Sequence, residues 1–211
     1  MRNRLQLIVS VLALLIAAPA SAQYMYFDVN GDGVNTTADV LSSSVTSVDV
    51  YVITDQSLSN PSDINSSLVA ATCAQGPLDL SINSYNLIIS APSGGVTYGT
   101  WTDNMSFPTD TGSGTAGNDA FVGRGSSTFI AAGTHKLGTY TITVTGNPIL
   151  TLRTPTGGDP VTALTAFGSN CTGVNFDNTL YLGQDWFSVG PTRAPTPVTE
   201  TTWGKIKALY K

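Results

Sequence analysis

Histidine, cysteine and glutamate are nearly absent from this chain, whose 211 residues contain one histidine (His135), two cysteines (Cys73 and Cys171) and one glutamate (Glu200). A Ser-His-Asp arrangement would have to use His135, yet no Gly-x-Ser-x-Gly turn stands near it, and Gly123-Arg-Gly-Ser-Ser127 has the wrong spacing. Glycoside hydrolysis needs two carboxyls across one bond, and no motif selects a pair such as Asp177 and Asp185 from the other aspartates. The expectation is a protein without catalytic activity. Neither cysteine stands at metal-ligand spacing. Bases are scarce too: nine Lys and Arg face 14 acidic residues, and four of the nine lie in the last 20 positions. Residues 23–191 hold three bases and 13 Asp, a net charge of −10, which repels nucleic acid and anionic lipid.

Long apolar runs are confined to the start. Arg2 and Arg4 precede an apolar stretch over residues 5–18, and Ala20-Ser21-Ala22 follows it, which is the pattern of an export signal over residues 1–22. An uncleaved anchor is the alternative, against which Pro19 and the small residues argue. The later chain has no run of the roughly 18 apolar residues a membrane helix needs, so no membrane span is expected. An exported chain meets an oxidising compartment, so Cys73 and Cys171 are expected to form one disulfide, with two buried thiols as the alternative. Closing a loop of about 100 residues is worth about 4–5 kcal/mol in the chain-entropy model.

Between residues 45 and 190 no amphipathic helix stands out. Val48, Val50 and Val52 alternate, and further strands are expected at 84–90, 96–101, 120–123, 128–131, 137–145, 149–153, 161–167 and 180–189. Gly, Pro, Asn and Asp separate these runs. About nine strands predict an all-β fold, a jelly-roll sandwich with one core. Residues 109–118, rich in Gly, Ser and Thr, are expected as a long exposed loop.

The stretch at 28–39 carries the chemistry. Asp28, Asn30 and Asp32 stand at positions 1, 3 and 5 of a 12-residue loop, Gly33 at 6, Val34 at 7, Thr36 at 9 and Asp39 at 12. Ca²⁺ takes six to eight oxygens at about 2.3–2.6 Å, and this spacing brings side-chain oxygens, the Val34 carbonyl and a water held by Thr36 to one point. Gly33 permits the sharp turn at position 6. An Asx- and Gly-rich turn that binds nothing is the alternative. Asp49 and Asp55, flanking the first expected strand, are the residues expected to complete the site.

The EF-hand loop usually ends in Glu, and this one ends in Asp39. That ending, with Ala38-Asp39-Val40-Leu41, resembles a dockerin repeat, which implies a calcium loop followed by a short helix and docking onto cohesins. One copy is present where dockerins carry two. Ile82-Asn-Ser-Tyr-Asn-Leu-Ile-Ile-Ser90 and Lys136-Leu-Gly-Thr-Tyr-Thr-Ile-Thr-Val144 are similar to strands of cohesin-like domains, which implies the jelly roll shared with some carbohydrate-binding modules. The expected organisation is a calcium loop at 23–44, a sandwich at 45–190, a Pro/Thr linker at 191–200 and a short amphipathic segment at 201–211 bearing Trp203, Ile206, Leu209 and Tyr210.

The functional expectation is a secreted or cell-surface bacterial module, calcium-bound, that is structural or adhesive and binds an extracellular protein. The alternative is a carbohydrate-binding or cellulosome-like module attached to polysaccharide. Sandwich modules of that kind stack aromatics on sugar rings, and Trp101 and Tyr98 are the candidate platform, with burial in the core as the competing role.

Overall fold

The computed structural model describes residues 24–59, 67–71, 80–153, 155–160, 165–169 and 179–182. The export signal, Cys73, Cys171, Asp177, Asp185, the linker and the 201–211 segment lie outside them. Among the described residues the regular structure is all strand, and every strand pair is antiparallel.

Two sheets face each other. The first has the order β1 (Tyr24–Asp28), β2 (Ser47–Ile53), β10 (Thr134–Val144), β6 (Val96–Asp103). The second runs β13 (Thr179–Leu182), β12 (Ala166–Ser169), β5 (Ile82–Ser90), β9 (Asp119–Ile130), β7 (Thr109–Asp110), with β11 (Thr151–Leu152) on β5 and β8 (Gly114–Ala116) on β9. A hairpin, β3 (Gln56–Leu58) with β4 (Leu68–Ala70), stands beside them. The all-β sandwich expected from the sequence is what the chain forms.

The core follows from period-two alternation. Met25, Phe27, Val48, Val50, Val52, Leu137, Tyr140 and Ile142 enter it from the first sheet, and Ile82, Tyr85, Leu87, Ile89, Val122 and Phe167 from the second. Both expected strands at 120–123 and 128–131 belong to one 12-residue strand, β9. Gly123, at the end of the first of them, marks a close approach rather than a break. A Cβ on Gly123 would stand 2.4 Å from Thr111 Oγ1 and 2.8 Å from Asn86 Oδ1. The expected loop at 109–118 is exposed, but two short strands, β7 and β8, tie it back onto β9.

The N-terminal stretch also differs from expectation. Residues 24–28 form an edge strand of the sandwich, so the loop at 28–39 is built into the first sheet rather than set before it. No helix follows the loop; turns and irregular backbone lead from it into β2.

Candidate metal centre

Asp28 closes β1, opposite Asp49 of β2, and the chain then turns out of the sheet. Gly31 and Gly33 adopt φ of +79° and +76°, in the left-handed region open to glycine. Those two turns point backbone N–H groups at Asp28: Gly31 donates to Oδ1 and Gly33 to Oδ2, each at 2.7 Å. Asp39 ties the far end back. Its Oδ1 accepts from Val29 N and its Oδ2 from Thr36 N, both at 2.8 Å. The first and twelfth positions therefore clamp the loop shut from both ends.

Both clamping carboxylates are out of solvent, Asp28 at 1 % exposure and Asp39 at 0 %. Among the described residues no Lys, Arg or His pairs with Asp28, Asp32 or Asp39. Burial pushes the Asp28 carboxyl above its ordinary value; the Gly33 and Gly31 N–H groups pull it partly back, and the charges of Asp39 and Asp32 push it up again. Two desolvated carboxylates with neutral donors alone are a costly arrangement unless a cation joins them.

The other positions are less ready. Asn30 and Asp32 bind each other, with Asn30 Nδ2 donating to Asp32 Oδ2 at 3.0 Å and Asp32 N to Asn30 Oδ1 at 2.9 Å. Asp32 Oδ1 also accepts from Val34 N at 2.8 Å. Thr36 Oγ1 accepts from Ala38 N at 3.2 Å. Among the described residues no three His, Cys, Asp or Glu side chains converge as a ready-made cage. The donor set is wholly hard oxygen, which suits Ca²⁺.

Sequence reasoning missed what holds the loop to the body. Tyr26 and Tyr51, register partners on β1 and β2, stack with centroids 5.2 Å apart and planes 7° from parallel. The Tyr26 hydroxyl donates to the Gly33 carbonyl at 2.8 Å, and Tyr51 Oη lies 3.5 Å from where a Gly33 Cβ would stand. The signal was faint: Met25 and Phe27 alternate about Tyr26, over too few residues to announce a strand. Asp49 does not join the loop's hydrogen bonds; it takes Lys136 Nζ and Thr139 Oγ1, each at 2.6 Å. The Asp55 carbonyl accepts from Ala71 N at 2.8 Å.

Trp101 and Tyr98 turn inward. Both are half-buried against the main core, and each ring centroid lies 5.4 Å from that of Tyr140. Trp101 Nε1 donates to Tyr85 Oη at 3.3 Å, and Tyr98 Oη lies 3.3 Å from the Ile89 and Asn118 carbonyls. They do not form an outward stacking surface. His135 sits in β10 with Nε2 2.8 Å from the Ala131 carbonyl.

No known family model matches the chain, and no curated protein does. Among solved structures it is similar to a cohesin module of a Clostridium perfringens family 33 glycoside hydrolase, at TM-score 0.47 and 8 % identity, over 82 % of this chain and 96 % of that one. It is also similar to a non-cellulosomal cohesin from the hyperthermophilic archaeon Archaeoglobus fulgidus, at TM-score 0.37 and 16 % identity, over 63 % and 74 % of the two chains. At these scores the likeness is one of general outline and assigns neither partner nor activity.

Proposed function

We propose that this chain is an exported β-sandwich that binds Ca²⁺ at residues 28–39 and docks a protein partner outside the cell, without catalysing a reaction. One observation carries the ion: Asp28 and Asp39 are buried and lack a cationic partner among the described residues, at the first and twelfth positions of an oxygen-rich loop. Asp28, Asn30, Asp32, the Val34 carbonyl, Thr36 and Asp39 would hold it. A cation there would neutralise the desolvated carboxylates and lock β1 onto β2. If Ca²⁺ binds the folded state alone, it stabilises by RT ln(1 + [L]/Kd), about 2.7 kcal/mol at 100 times Kd.

Export is supported by the charged, apolar and small-residue order of residues 1–22. A protein partner is supported by Val34 and Val40, which stand 54 % and 37 % exposed, one on the loop and one just past its end. The inward turn of Trp101 and Tyr98 weighs against the polysaccharide alternative. Calorimetry of the full chain should show saturable Ca²⁺ binding, and thermal melts should fall on adding chelator. No heat of binding, with melts indifferent to chelator, would overturn the ion; calcium-dependent retention on insoluble polysaccharide would overturn the choice of partner.

A further inference from the structure

Asn30-Gly31 is the one Asn-Gly dipeptide in the chain, and it occupies the third and fourth positions of the loop. We infer that it is a self-modification site: when the loop opens, Asn30 deamidates through a ring formed with the Gly31 nitrogen, and the isoaspartate product disarms the loop irreversibly. Asn30 is exposed to water. Gly31 offers no side chain to obstruct the ring, and a Cβ there would meet nothing within 4 Å.

The closed loop restrains both reacting groups. Gly31 N–H, the incipient nucleophile, is donated to Asp28 Oδ1 at 2.7 Å. The Asn30 amide is held at both ends by Asp32, through Nδ2 at 3.0 Å and Oδ1 at 2.9 Å. Ring closure has to break these hydrogen bonds and bring the Gly31 nitrogen onto Asn30 Cγ. Local opening therefore sets the rate.

The chemistry balances with water as the co-reactant. Gly31 N loses its proton and bonds to Asn30 Cγ, the Cγ–Nδ2 bond breaks, and nitrogen leaves as ammonia. Water then opens the five-membered imide at either carbonyl, leaving aspartate or isoaspartate and a restored N–H at Gly31. Nothing is oxidised or reduced. Isoaspartate adds a methylene to the main chain between Asn30 and Gly31. That extra atom shifts Gly31, Asp32 and Gly33 against Asp28, so the two N–H donations to its carboxylate can no longer form together.

The regulation of this site rests on the calcium reading. An ion that binds the closed loop alone lowers the open population by the factor 1 + [L]/Kd, so Ca²⁺ at about ten times Kd slows deamidation about tenfold.

The test incubates the full chain at mildly alkaline pH with Ca²⁺ or with chelator, and follows peptide masses, ammonia and isoaspartate by enzymatic methylation. Asn104 and Asn118, both exposed, are internal controls. In chelator, Asn30 should convert roughly tenfold or more faster than either control, because neither is followed by glycine. Ca²⁺ should slow Asn30 and leave the controls unchanged. Asn30→Ser, which keeps an oxygen at that position, should remove the deamidation mass shift and the ammonia from this peptide, whereas isoaspartate arising at Asp32-Gly33 carries no mass change. Conversion at Asn30 no faster than at the controls overturns the site. Fast conversion at equal rates in both arms upholds the site and overturns the calcium reading alone.

Discussion

Tyr26 lies flat against Tyr51 across the first strand pair, and its hydroxyl reaches over to the carbonyl of Gly33 at 2.8 Å. Through that contact the candidate ion loop is attached to the sandwich. Tyr51 also registers the loop's charge: burial pushes its hydroxyl upward, Lys136 pulls it back, and Asp28 and Asp32 are among the charges that push it up again.

Tyr26→Phe keeps the stacked ring and removes the bond to Gly33. The expected loss is about 0.5–1.5 kcal/mol of stability, with a several-fold weaker Ca²⁺ affinity, because an untethered loop must be ordered on binding. Melts and calorimetry on the same variant check both effects. A loss of stability with unchanged affinity would mean that the loop is held without this bond.

Asp28→Asn should abolish the calcium-dependent rise in melting temperature. Without calcium it also disturbs the donations from Gly31 and Gly33, at about 1–3 kcal/mol. The pH dependence separates the two effects. Because burial holds the folded-state carboxyl above its ordinary value, the folded protein holds the proton longer. Its contribution to stability is therefore greatest in acid and declines as pH rises from there through the raised folded value. In chelator the wild type should lose stability across that window relative to Asp28→Asn. With calcium present the order reverses at higher pH, since the ion needs the ionised carboxylate. Parallel pH curves in chelator would show that Asp28 is not perturbed.

Tyr85 is wholly buried, and its hydroxyl donates to Asp103, lies 3.2 Å from the Leu137 carbonyl and accepts from Trp101 Nε1. Burial first, then the bond to Asp103 and its charge, pushes the phenol well above its ordinary range. Tyr85→Phe strands Trp101 N–H and one Asp103 oxygen, an expected loss of about 1–3 kcal/mol. At about 2–4 °C per kcal/mol for a chain of this size, the shift is readable in a thermal melt.

Trp101→Ala distinguishes packing from sugar contact. A half-buried indole set against Tyr140 and Tyr85 should cost up to about 3–5 kcal/mol when removed. Binding to polysaccharide by the protein that remains folded should not change. Selective loss of sugar retention at unchanged melting temperature would restore the platform role.

Strand existence was legible where alternation was strong, as at Val48, Val50 and Val52, which the structure buries together in β2. It was hidden where glycine served close approach, as at Gly123 beneath Thr111, because a pattern of residues does not tell a break from a crossing backbone. The short strand at Tyr24–Asp28 was hidden because five residues between an export signal and an Asp-rich loop carry little periodicity of their own.

By itself the sequence determined what depends on near neighbours: the spacing of oxygens over residues 28–39, the glycines that let the loop turn, and the faces on which apolar side chains alternate. The tertiary structure decided what depends on distant segments. It set Tyr26 on Tyr51, sent Asp49 to Lys136 instead of the loop, and turned Trp101 and Tyr98 inward. The physical reason is register: which residue of one strand faces which residue of another is settled by burying whole sheet faces together, and no local pattern holds that information.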